Sequence, residues 1–255
     1  MSSIPFAHTE IAVLKKALRA VYPEISSSHL SEALATALGF RTHASLLAAV
    51  PIDTVEPHYV LLDDEAFDAR LIALGHQSDP EFNFDFLRVP SLLRTTGGSA
   101  WDIEYKSLRD RAWRNLIVET VNEGLRRRMF TLKPDDNRWD GWSGPRAPDS
   151  VGSTVFEFTL GNGLPALAYV ADAGFAELAV HVAVAPTPRG RDFVRAHGAG
   201  FAAGDAFATT WLERENGAWI QTSLSQFRCR KALLPMLAEM EVRPMGYGDR
   251  GRVIM

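Results

Sequence analysis

His181 and Glu157 are the residues whose types and placement point most directly to metal or acid–base chemistry. Each falls in a segment whose hydrophobic pattern predicts a strand, over 176–184 and 154–160 respectively. An imidazole and a carboxylate on one face of a sheet can bind a metal ion or exchange a proton. The pattern therefore suggests a metal site at His181 and Glu157, while no spacing in the sequence supplies a third ligand.

A second group of residues has the chemistry of phosphate contact. Three consecutive arginines end a predicted helix, and two more lie among glycines near residue 250. Guanidinium groups bind phosphate oxygens through paired hydrogen bonds, although cations at a helix end also stabilise the helix dipole. We predict a nucleic-acid or partner contact at Arg41, His43, Arg126, Arg127, Arg128, Arg250 and Arg252.

Other motifs have a structural interpretation that fits their context. The carboxylates of 63–65 are predicted to start a helix, and those of 135–136 to form a turn. Residues 246–251 match G-x-G-x-x-G by letter, but too few residues follow to form the helix that binds a dinucleotide, so this end is expected to pack or fray. We assign no catalytic residue and expect no cofactor.

Composition places the chain among ordinary globular proteins. Its 255 residues are 46% hydrophobic and 23% charged, with a net charge of −4, which excludes disordered, collagenous and coiled-coil classes. The single cysteine, Cys229, excludes an intrachain disulfide. The longest uncharged stretch, 158–171, contains glycines and a proline and is too short for a membrane helix. We expect a cytoplasmic protein with no membrane segment.

The elements that must position these residues fall into three regions. Residues 1–50 are predicted to form a helical module of three short helices, the second stopped by Gly39 and the third capped by Thr42. Residues 51–100 are predicted to be an acidic linker and irregular segment. Residues 101–255 are predicted to form the main domain.

The linker region is strongly acidic, since 51–87 holds nine carboxylates against one arginine. A short strand at 58–62 and a helix at 65–74 are predicted within it. This acidity also suggests a docking surface for a basic protein partner.

The main domain is predicted to be α+β, an antiparallel sheet with helices packed on one face. A long helix starts at Ser107, which can cap it together with Asp110. Several strands follow, among them a hairpin around Asn216-Gly217. A last helix is predicted over 225–240.

The first helices resemble a known module. The residues that carry the resemblance are Leu14, Ala17-Leu18, Ser28-His29, Glu32-Ala33-Leu34, Leu38-Gly39-Phe40-Arg41 and Leu46. They are similar to a small helical module at the amino terminus of glyoxalase-superfamily-related proteins and of uncharacterised proteins from proteobacterial plasmids and integrated elements. The resemblance implies a bacterial, mobile-element context and no reaction. The same stretch is also helix-turn-helix-like. The helix that would then read the DNA, the third of the module, offers only Thr42, His43 and Ser45 to a base edge.

We therefore expect an accessory or regulatory protein that binds DNA or a protein partner without catalysis. The contact would involve the helical module and the basic, tryptophan-rich region of 101–142. Two alternatives remain open: a metal-dependent enzyme with its site at Glu157 and His181, and an interaction module that docks through 51–87.

Overall fold

A computed structural model of the chain describes residues 2–52, 57–94, 100–134, 136–138, 152–215 and 217–253. The chain divides into two compact units. The first comprises Met1–Thr95 with Met245–Tyr247, and the second comprises Thr96–Pro244 with Gly248–Met255. Among the helices of the described residues, none has the length and apolar character to cross a bilayer.

The first unit combines four helices of the described ranges with a small antiparallel sheet of order β2-β1-β3. Its elements are β1 (Ser2–Pro5), α1 (His8–Val21), α2 (Ser27–Ala37), α3 (His43–Ala49), β2 (Tyr59–Leu62), α4 (Asp64–Ala73), a 3-10 turn (Phe84–Phe86) and β3 (Leu93–Arg94). The three amino-terminal helices are confirmed.

Local capping explains where these helices begin and end. The Ser26 hydroxyl accepts the amide of His29 at 3.3 Å, and Thr42 forms a capping box with Ser45. Gly39 has a φ of +82°, and Phe40 N donates to Ala35 O at 2.8 Å, which closes α2 in a Schellman motif. The stop signals in the sequence are therefore those that the chain uses.

The predicted linker differs from the structure, because much of 51–100 belongs to the first unit. β2 pairs with β1, and α4 packs against α2. Several acidic side chains of this region serve the fold: Asp63 caps α4 by accepting the amide of Ala66 at 2.9 Å, and Asp64 accepts the amide of Phe84 at 2.9 Å. The unit boundary accordingly lies near Thr95 rather than at residue 50.

The second unit is built on one seven-stranded sheet of order β4-β10-β9-β8-β7-β6-β5. Its elements are β4 (Ala100–Asp102), α5 (Leu108–Arg126), β5 (Ser153–Thr159), β6 (Pro165–Gly174), β7 (Glu177–Pro186), α6 (Gly190–Phe193), a 3-10 turn (Gly200–Ala202), β8 (Gly204–Glu213), β9 (Trp219–Cys229), α7 (Leu234–Ala238) and β10 (Gly248–Val253). All neighbouring strands are antiparallel except β9 and β10, which are parallel. The α+β class is confirmed.

The two faces of this sheet are covered by different elements. α5 begins at Ser107, whose hydroxyl accepts the amide of Asp110 at 3.1 Å, and packs against β7 and β8. On the other face, Ala183 and Phe207 pack against Val194, which lies in the segment 190–203. The segment 190–203 therefore covers the face on which His181 lies, since residues two apart on a strand share a face.

The end of the chain departs from its prediction. β9 continues through Cys229, so the predicted helix over 225–240 is reduced to α7. Pro235 occupies the first turn of α7, where a missing amide hydrogen costs nothing, so it starts a short helix instead of bending a long one. The glycine-rich end packs as β10, and Gly251 is required there because a Cβ atom would overlap the Trp219 ring.

Candidate functional site

The structure places His181 and Glu157 on one face of the sheet without bringing them together. Glu157 lies opposite Leu167 and His181 lies opposite Tyr169, with one strand between them. Strands about 4.8 Å apart, with a rise of about 3.4 Å per residue, put the two Cα atoms about 12 Å apart. The Glu157 carboxylate is exposed and lies 3.5 Å from the Arg191 guanidinium instead.

His181 is a buried histidine held by the backbone. It is 5% exposed, and its Nδ1 lies 2.9 Å from the carbonyl oxygen of Val194. A carbonyl can only accept, so Nδ1 donates and Nε2 carries the lone pair. Burial lowers the pKa of His181, the Val194 contact opposes that shift, and His197 adds to it. Among the described residues, no three side chains of histidine, cysteine, aspartate or glutamate lie together as metal ligands.

A pair of glutamates at the end of the same sheet forms a site that titrates near neutral pH. Glu213 ends β8 and Glu177 begins β7; the Glu213 carboxyl accepts the amides of Arg214 at 2.9 Å and Glu215 at 2.6 Å. Burial, and then the hydrogen bond and charge of Glu177, raise the pKa of Glu213 to about 7. The Gln221 amide donates to Glu177. This pair can hold and release one proton near neutral pH.

Sequence reasoning missed this pair, although the sequence contained a signal for it. Both glutamates lie at the ends of predicted strands, 176–184 and 205–213. In an antiparallel pair, the start of one strand lies beside the end of the other. Pairing the two predicted strands would have placed Glu177 beside Glu213.

The arginines at the end of α5 are largely neutralised by carboxylates of the same helix. Arg127 Nε lies 2.6 Å from a Glu123 carboxylate oxygen, and Arg126 pairs with Glu123 and with Glu119. Arg128 is exposed and takes a left-handed φ of +56° just after the helix. Of these three arginines, only Arg128 forms no ion pair with a described residue.

The remaining predicted contact residues are dispersed. Arg41 is exposed, while the amide of His43 donates to Glu32 at 3.2 Å. The first unit, which contains both, has twelve carboxylates against seven basic residues, which opposes approach of a polyanion. Arg250 and Arg252 lie in β10, and their side chains are outside the described part of the structure.

Two other predicted features lie partly outside the described residues. Asp136 belongs to a turn with Thr131 and Arg138, and these two partners lower its pKa against the opposing effect of burial. Asp135 lies outside the described residues, as do Trp139 and Trp142 of the predicted tryptophan-rich region.

A cationic and aromatic surface that the sequence did not suggest lies at the carboxyl end of β9. We call it the arginine–phenylalanine surface; it comprises Phe201, Arg228, Arg230 and Lys231, and Arg228 lies on the face covered by the segment 190–203. Phe227 and Arg109 lie at the same end of β9 on the opposite face, because successive residues of a strand point to opposite faces. The Arg109 guanidinium lies 5.0 Å from the centre of the Phe227 ring and donates to the Phe227 carbonyl. The Arg230 guanidinium lies 5.5 Å from the centre of the Phe201 ring and pairs with Asp205.

Two cations of this surface lack a carboxylate partner within the described ranges. Arg228 and Lys231 are both exposed. Arg228 passes within reach of Gly200, beside the half-exposed ring of Phe201. The one cysteine of the chain, Cys229, lies between them; burial raises the pKa of its thiol and the charge of Arg109 opposes this. The surface therefore presents local positive charge next to an accessible ring.

Comparison of the chain with protein-family models, with curated proteins and with solved structures gives no match. The resemblance of the amino-terminal helices to the glyoxalase-related module, and the mobile-element context that it implies, therefore stay predictions.

Proposed function

We propose that this chain is an accessory or regulatory protein that binds single-stranded nucleic acid through its arginine–phenylalanine surface. The observation that supports this most is the pair of exposed cations, Arg228 and Lys231, which have no carboxylate partner among the described residues. Arg228 passes Gly200, which directly precedes the half-exposed Phe201. Guanidinium and ammonium groups contact phosphate oxygens, and an aromatic ring offers a platform on which a base can stack.

The charge distribution favours the second unit for this role. It has twenty basic and nineteen acidic residues, so its overall field is weak and any attraction of phosphate must be local. Arg230 is already paired with Asp205, and Arg109 with a backbone carbonyl. We assign phosphate contact to Arg228 and Lys231, and assign to Arg230 the positioning of the Phe201 ring.

The ring environment favours a single strand over a duplex. Phe201 is 48% exposed, and its ring carries the Arg230 guanidinium on one side. Bases in a duplex are stacked on each other and leave no face for a phenylalanine, whereas unpaired bases do. A duplex would contact only the cations of the surface and would bind more weakly.

Fluorescence anisotropy of a labelled single strand of about 16 nucleotides tests this, at about 50 mM salt, where phosphate contacts are strongest. We expect the double variant Arg228→Gln/Lys231→Gln to bind at least about tenfold more weakly than the wild type. The matched control is Lys133→Gln/Arg191→Gln, which removes the same charge from two exposed positions elsewhere on this unit. Equal affinities of the two double variants, or no binding by the wild type, would contradict the proposal.

Cys229 provides a second, independent readout. Because it is the only cysteine and directly follows Arg228, the rate at which a thiol reagent labels the protein reports on the carboxyl end of β9. We expect saturating single strand to slow the labelling. Unchanged labelling under conditions where anisotropy shows saturation would mean that the bound strand does not extend over the end of β9 at Cys229.

A further inference from the structure

The first unit contains an open cavity of about 420 Å³ that takes no part in the proposed nucleic-acid contact. It lies between the 3-10 turn at Phe84–Phe86 and β3, and its lining includes Asp85, Phe86, Leu92, Arg88 and Arg94. Its volume falls within the range of about 300–1,000 Å³ that is usual for small-molecule sites.

The lining of this cavity has a net positive charge, since two arginines face one carboxylate, that of Asp85. The Asp85 carboxylate accepts a hydrogen bond from the Ser2 hydroxyl. Arg88 and Arg94 are both exposed, and neither forms an ion pair with a described residue. This is notable in a unit where carboxylates outnumber basic residues twelve to seven. Two guanidinium groups at one cavity, without a carboxylate partner among the described residues, can each donate hydrogen bonds to a bound anion.

The cavity also has an apolar part. Phe84, at the start of the 3-10 turn, is fully buried in the core, whereas Phe86, at the end of the turn, is 74% exposed. Leu92, which also lines the cavity, is partly buried against the core. An exposed ring beside an apolar wall offers a surface for a flat apolar group, since burying that group would remove both from water.

We propose that this cavity binds a small organic anion with a flat apolar body, an aryl carboxylate or aryl phosphate. The two guanidiniums would hold the anionic group, and Phe86 and Leu92 would enclose the ring. The cavity lies wholly in the first unit and the arginine–phenylalanine surface in the second, so the two proposals are tested independently.

Titration calorimetry with phenyl phosphate, inorganic phosphate and benzyl alcohol tests this on the full chain. We expect phenyl phosphate to bind more tightly than either of the other two, because only it supplies both the charge and the ring. Arg88→Gln/Arg94→Gln should weaken phenyl phosphate binding by at least about tenfold, since hydrogen bonds to charged groups are lost. Phe86→Ala should weaken phenyl phosphate and leave inorganic phosphate unchanged.

The matched control is Arg19→Gln/Arg41→Gln, which removes two arginines from other positions on the same unit. All of these side chains except Phe86 are polar surface groups, so thermal unfolding should show that the variants fold. The proposal is overturned if the two double variants bind phenyl phosphate equally, or if inorganic phosphate binds as tightly as phenyl phosphate.

Discussion

The Nδ1 atom of His181 lies 2.9 Å from the carbonyl oxygen of Val194, and this contact ties β7 to the segment 190–203 that covers it. A histidine used in this way fixes a tertiary contact through Nδ1, while Nε2 keeps its lone pair. Its neutral form is the one that burial favours, so its protonation opposes folding.

This gives the first prediction. The pKa of His181 is lowered from 6.5 in the folded chain, so the unfolded state binds its proton first as the pH falls. Stability contributed by the neutral imidazole is present above pH 6.5 and is lost as the pH falls below it. The free energy of unfolding, from urea titrations between pH 7 and pH 5, should therefore decrease more in the wild type than in His181→Gln. His8→Gln, at an exposed position, should keep the wild-type slope; a wild-type slope in His181→Gln would contradict the assignment.

The second prediction concerns Glu213, whose shift has the opposite sign. Its pKa is raised from 4.5 to about 7, so the folded state keeps a proton that the unfolded state loses. Stability from this group is full below pH 4.5 and is lost as the pH rises to about 7. Glu213→Gln removes the ionisation, and at pH 7.5 the variant should be more stable than the wild type by about 1 kcal/mol, after allowance for solvent screening.

Glu215→Gln is the control for this measurement, because Glu215 is an exposed neighbour of the pair. The difference in stability between the wild type and Glu213→Gln should vanish near pH 4. A difference that is constant across the pH range would mean that Glu213 ionises like an exposed glutamate.

A third prediction tests the start of α5. The Ser107 hydroxyl accepts the amide of Asp110, and the Asp110 carboxylate accepts the amide of Ser107. Ser107→Ala should lower the free energy of unfolding by about 1 kcal/mol, the usual value of a lost helix cap. Ser153→Ala, at an exposed strand position, should have little effect. Equal losses in the two variants would show that the cap contributes nothing.

A fourth prediction tests the assignment of Met245–Tyr247 to the first unit. Gly246 has a φ of +81°, and a Cβ atom there would overlap the backbone and Cβ of Tyr59 in β2. Gly246→Ala should cost about 2 kcal/mol or more, from backbone strain together with the steric overlap. Gly163→Ala, at a φ of +84° with no atom nearby, separates the two causes, because it carries the strain alone. A loss no larger than that of Gly163→Ala would mean that the contact with Tyr59 is absent.

Sequence patterns predicted the elements that are defined by neighbouring residues. Ser107 with Asp110 fixes the start of α5, and Gly39 fixes the end of α2, because capping acts within one turn of the chain. The alternation of Leu178, Val180 and Val182 likewise predicted β7, whose two faces differ in cover.

The elements that escaped prediction depend on distant partners. β1 is only four residues long, and its partners β2 and β3 begin near residues 59 and 93. Nothing within Ser2–Pro5 distinguishes it from a coil, since the partners of its backbone hydrogen bonds lie in the distant strands β2 and β3. β10 was missed for the same reason, because the glycine at position 251 is explained by the ring of the distant Trp219, which it passes.

The candidate site was missed through an error of secondary structure. A helix over 225–240 would spread the cations near Cys229 around its axis at about 100° per residue. A strand places Arg228 opposite Phe207 instead, on the face next to the 3-10 turn that carries Phe201. These residues are nearly thirty positions apart in sequence, so their proximity follows from the register of β8 and β9.

The salt dependence of single-strand binding tests the central claim most directly. For single strands, the logarithm of the affinity falls with the logarithm of salt concentration by about 0.7 for each phosphate that the protein neutralises. If Arg228 and Lys231 each contact a phosphate, Arg228→Gln/Lys231→Gln should reduce that slope by about 1.4 relative to the wild type. A slope that is the same in the wild type, in this double variant and in Lys133→Gln/Arg191→Gln would contradict the claim that the arginine–phenylalanine surface binds nucleic acid.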